Sequence, residues 1–170
     1  NINVSGTGNP QFWMRRINNQ TGGGAISVQN SGRVYIDNDT IIVSSLQVTG
    51  FTGSSGDELT KCIITGDVIF SDDFTNVGSV YVGQNRITGN ASFTSNAAIT
   101  WYEGYQGSDY FNGNVSFSRT TPTGLFYLAY NDTTYTYRDV TLNSTAGFDI
   151  NSTIEFTGSN NSSIEQLGTQ

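Results

Sequence analysis

The chain has 170 residues, 35% hydrophobic and 12% charged, with 10 Phe, 9 Tyr and 2 Trp; that is enough apolar material for a packed domain and too many rings for a disordered one. Its net charge of -7 opposes binding to nucleic acid, and the absence of His removes the usual zinc ligand and the usual base of Ser and Cys nucleophiles. The single cysteine, Cys62, cannot close an intrachain disulfide and reads as a small buried residue, while no apolar run approaches the roughly 20 residues of a membrane span, so no membrane insertion is expected.

Beginning at Asn1 without Met, the chain reads as a mature protein or a piece of a longer one. Residues 1–60 contain strand-like windows, with Gly32–Ile36 and Ile41–Val48 resembling elements that recur later, but Gly50–Gly56 interrupts them. This part is expected to be an irregular β segment, or N-terminal coils or a cap. From residue 61 onward a period emerges. Ile64-Thr-Gly-Asp-Val-Ile-Phe70, Ile87-Thr-Gly-Asn-Ala-Ser-Phe93 and Phe111-Asn-Gly-Asn-Val-Ser-Phe117 share one pattern, and their final Phe residues lie 23 and 24 positions apart. A degraded copy, Tyr137–Leu142, ends 25 residues later without a Gly before its Asp. Between the copies fall Val80–Val82, Ile99–Trp101 and Leu125–Leu128, a second apolar element.

Short β-rich elements repeating every 23–25 residues, with Gly and Asx at the turns, predict an all-β parallel β-helix or β-solenoid over residues 61–170, continuous with what precedes it. The alternative is an antiparallel β-sandwich, which also alternates short strands and turns. In a solenoid, Ile64, Ile87, Phe111 and Tyr137 should form one inward ladder and Phe70, Phe93, Phe117 and Leu142 another. Asp67, Asn90, Asn114 and Asp139 should stack at a turn, bonding their local backbone beside glycines of positive φ.

Candidate chemistry is sparse. Glu103 with Asp109, or Asp72 with Asp73, could supply paired carboxylates, although the adjacent pair reads more simply as a solvated turn. Asp37-Asn38-Asp39 offers oxygen ligands without the Gly and distal Glu of a calcium loop, so no metal or other cofactor is expected. In the segment 101–110, Trp101, Tyr102 and Tyr105 are candidate glycan contacts through ring stacking beside carboxylates and amides. Strand alternation competes with that reading by sending Trp101 or Tyr102 inward and laying Tyr105 over an adjacent coil.

The run Asp109–Phe117, followed by Gly124–Asp132 and Asp139–Leu142, resembles the tandem units of giant repetitive surface adhesins of Bacteroidota, including gliding-motility adhesins exported by the type IX system. The likeness covers about residues 62–157. It implies a non-enzymatic, extracellular segment at the cell surface, a stalk or contact region in attachment or gliding. Its partners would be neighbouring repeats, other adhesin subunits and surface glycans. The alternative is a secreted β-helix that binds or cleaves polysaccharide. The resemblance also implies O-glycosylation of Asp-Ser/Thr-x triplets, here at Thr40 and Thr133.

Overall fold

The computed structural model describes residues 1–6, 10–16, 18–19, 24–53, 56–121, 123–144, 147–150, 153–156 and 164–167. Every strand pairing among them is parallel. The strands are assigned in rotation to three sheets, so each turn of the chain lays one strand on each face of a β-solenoid. Sheet A holds eight strands, including Ser45–Phe51, Asp67–Asp72, Ala91–Ser95, Val115–Arg119 and Val140–Ser144. Sheet B holds seven, including Val34–Asp37, Asp57–Thr60, Val80–Gly83, Thr100–Glu103 and Leu125–Leu128. Sheet C holds seven short ones, among them Thr40–Ile41, Ile63–Ile64, Arg86–Ile87, Asp109–Phe111 and Thr134–Thr136. An antiparallel sandwich has no place in this topology.

Inward residues stack because parallel in-register pairing puts equivalent side chains about 4.8 Å apart on successive coils. The expected Phe70–Phe93–Phe117–Leu142 ladder is present and buried. Its rings at Phe93 and Phe117 stack with centroids 5.5 Å apart. The ladder continues toward the N-terminus through Val48, Val28 and Val4. Residues 1–60 therefore contribute strands to the same three sheets. Their period is hard to see because valines replace the phenylalanines and the coils from Val28 to Val48 and from Val48 to Phe70 are shorter than those downstream. Gly32–Ile36 belongs to sheet B as the later second elements do, and Ile41 and Leu46 align with Ile64 and Val68.

The second expected ladder holds for Ile64, Ile87 and Phe111 but fails at Tyr137. Thr136 stands opposite Phe111, and Tyr137 is 36% exposed. Asp109 pairs with Thr134 across sheet C, which fixes Thr136 in the inward place and carries Tyr137 into the turn beyond. The Asx column exists, but its bonds run between coils. Asp67 Oδ1 accepts from Asn90 N (2.8 Å), Asn90 Oδ1 from Asn114 N (3.0 Å), and Asn114 Oδ1 from Asp139 N (3.4 Å). The preceding glycines do not have positive φ. They are small because the turns touch: a Cβ on Gly89 would lie 2.5 Å from the Gly66 carbonyl carbon, and one on Gly113 would lie 2.4 Å from Gly89 O. Positive φ occurs instead at the corner between sheets B and C, where Arg16, Asn38, Lys61 and Gln84 occupy the left-handed region on successive coils.

Candidate functional site

The strand Thr100–Glu103 divides the aromatic cluster by simple alternation. Trp101 turns inward and is fully buried, stacked on Phe126 (5.1 Å), and its indole Nε1 donates to Asp72 Oδ2 at 3.1 Å. Trp101 is therefore removed as a glycan contact. Tyr102 and Tyr105 remain half-buried on the outer face of sheet B. Tyr102 lies in an axial row with Trp13, Tyr35, Glu58, Tyr81 and Tyr127.

Within that row the rings face one another. Trp13 and Tyr35 stack at 5.2 Å and 22°, Tyr81 and Tyr102 at 5.3 Å and 7°, and Tyr102 and Tyr127 at 5.6 Å and 18°. Tyr105 leans on Tyr81 of the preceding coil, while Tyr130 meets Tyr102 edge-on. Both faces of the Tyr102 ring, which a sugar would need, are thus covered by Tyr81 and Tyr127. Burial, reinforced by the neighbouring tyrosines, holds the Tyr102 phenol above its ordinary pKa. At the Glu58 interruption, Arg33 lies over both Trp13 and Tyr35 at 5.5 Å and reaches Glu58 Oε1 at 4.0 Å.

The paired carboxylates do come together, but inside the solenoid. Glu103 takes an inward position of sheet B between Val82 and Leu128, and Asp109 begins the next strand of sheet C. Glu103 accepts from Ala129 N at 2.7 Å and from the Thr134 hydroxyl at 2.7 Å. Asp109 accepts from Asn85 N at 2.8 Å and Gly104 N at 3.2 Å. Burial, then the charge of Asp109, pushes the Glu103 pKa well above its ordinary value. With both groups buried and their oxygens occupied by backbone and hydroxyl donors, the pair has no access to substrate.

Asp109 belongs to a polar column that sequence reasoning missed. Asp39, Cys62, Asn85, Asp109 and Thr134 occupy the B–C corner on successive coils and are all buried. Asn85 Oδ1 accepts from Cys62 N (3.0 Å), as Asp109 Oδ1 does from Asn85 N. The 23, 23, 24 spacing of positions 39, 62, 85 and 109 was a readable signal. Cys62 sits in this column with its thiol 3.1 Å from Thr60 O, and burial raises its pKa to about 12.

Asp72 and Asp73 do not share a solvated turn. Alternation along its strand turns Asp72 into the core in phase with Val68 and Phe70, where Asn96 N and Trp101 Nε1 bond its carboxylate; Asp73 caps the following turn through Thr75. Asp37 is engaged by Arg15 at 3.2 Å, Lys61 at 3.6 Å and Thr60 at 3.2 Å, and Asp39 is buried. Among the described residues no group of three or more Cys, Asp or Glu could hold a metal. Thr40 is half-buried beside the core residue Asp39; Thr133 is half-buried beside exposed Asp132, whose Oδ1 accepts from Thr133 N.

Comparison with protein-family models, curated proteins and solved structures gives no match.

Proposed function

We propose that this chain is a structural and adhesive segment of a large extracellular cell-surface adhesin, acting in surface attachment or gliding through its shape and outer faces. The observation that carries this reading is the division of labour among side chains. The Glu103–Asp109 pair, which could otherwise have done acid–base work, fastens coils together, while outward Tyr, Ser, Thr and Asn side chains form rows along the rod. Neighbouring repeats, other adhesin subunits and surface glycans are the partners such a segment would meet. The same burial of carboxylates disfavours the polysaccharide-cleaving alternative.

The test is made on source cells. Antibodies raised against this chain should label intact, unpermeabilised cells and reduce their attachment to polysaccharide-coated glass. Labelling that appears only after lysis would overturn the surface assignment, and release of reducing sugars from a polysaccharide panel by the purified chain would overturn the non-catalytic one.

A further inference from the structure

Outside sheet A, beside the Asx column, runs a groove of about 320 Å³ that spans several coils. One wall is formed by Asp67, Asn90 and Asn114, and the other by Ile69, Ser92, Ser116 and Thr141. The last four residues follow one another in register on successive strands. We propose that this groove binds a neutral, extended polysaccharide chain lying along the rod axis. The site lies on a different face from the tyrosine row and does not depend on the cell-surface reading above.

The donors are preorganised. Asn90 Oδ1 and Asn114 Oδ1 are held by the next coil's backbone N–H groups. Each carboxamide is thereby fixed, and its Nδ2 is left without a partner among the described residues on an exposed side chain. The hydroxyls of Ser92, Ser116 and Thr141 are likewise unpaired among the described residues, and Ile69, 40% exposed, supplies an apolar surface for the C–H face of a sugar. A concave, partly apolar wall with a few fixed polar groups is the ordinary form of a small-ligand site.

Periodicity selects a polymer. Each coil repeats one Asx and one outward side chain about 4.8 Å farther along the axis. A β-linked pyranose chain in its extended form repeats on nearly that interval, so successive sugars can meet successive coils. A compact ligand would use only one or two. Charge selects a neutral polymer, because Asp67 lies in the wall, Asp139 continues the same column, and the chain carries a net charge of -7.

Affinity electrophoresis of the whole chain tests this, using gels containing a soluble β-glucan, an arabinoxylan or a galactomannan, with alginate and polygalacturonate as anionic counterparts. At least one neutral glycan should retard the protein. The double variant Asn90→Asp, Asn114→Asp keeps both ladder acceptors while removing the free donors, and should bind at least tenfold more weakly at a temperature where it is folded. Should it fold poorly, Ser116→Arg, which fills the groove from outside, must give the same loss. Tyr102→Ala should leave binding intact. Absence of retardation by every neutral glycan, preference for the anionic polymers, full binding by the groove variants, or loss of binding in Tyr102→Ala would overturn the proposal.

Discussion

Phe93 lies between Phe70 and Phe117 in a fully buried ladder, so its side chain has neighbours on both adjacent coils. Phe93→Ala should destabilise the protein by about 3 to 5 kcal/mol, the range for buried Phe truncations, as measured by denaturant unfolding. Buried acids set an unusual pH response. Desolvation raises Asp57 and Asp72 from 3.8 to about 6, despite the hydrogen bonds each accepts. Because each binds its proton more tightly folded than unfolded, the stability it contributes is fully present below about pH 4 and is lost as pH rises through about 6. Glu103 and Asp109, also raised by burial, act in the same direction. The melting temperature should therefore rise as pH is lowered from 7.5 to 5, and Asp72→Asn, which keeps an acceptor for Trp101, should flatten that slope. A melting temperature that falls steadily over this interval would contradict the assignment. These acids were visible in the sequence only as scattered charges, although alternation from Val68 and Phe70 already assigns Asp72 to the inward face and Asp73 to the turn beyond the strand.

At the level of turns and strands, two kinds of corner hold the coils in register. At the A-side corner, glycine permits direct contact between turns. Gly89→Ala places a Cβ 2.5 Å from the Gly66 carbonyl carbon, where backbone rather than a flexible side chain must yield; a loss of about 1 to 3 kcal/mol is expected, as for other overpacked sites. At the B–C corner the need is reversed, and Lys61 holds a left-handed φ of 58° that glycine would adopt more readily. Lys61→Gly should leave stability unchanged or raise it by up to about 1 kcal/mol, given the side-chain penalty in that region, even though its ion pair with Asp37 is lost. The repeat was legible where large residues mark it: Phe70, Phe93 and Phe117 reveal the coil length and one face of the core. It was obscure where Val28 and Val48 do the same job with smaller side chains, and where Tyr137 imitates an inward residue that is in fact Thr136. The tyrosine row was legible as a cluster of rings but not as a stack, because the stacking partners Tyr81, Tyr102 and Tyr127 are a full coil apart in sequence.

For the molecule as a whole, each coil meets its neighbours through backbone ladders that run along the rod, with no strand inserted between distant coils among the described residues. The hydrogen bonds of all three sheets are therefore parallel to the axis, as are the side-chain bonds of the Asx and polar columns. A pull applied between the two ends of the chain loads these bonds coil by coil rather than all at once. The outermost coil should peel away first, freeing about 23 residues, or roughly 75 to 85 Å of extended chain, before the next one bears the load. Single-molecule stretching should show a series of small, similar force steps at that spacing, whereas one large rupture would mean that the coils yield together. A segment built this way lengthens under tension while most of it stays folded, and the force on whatever it holds is capped by the strength of one coil.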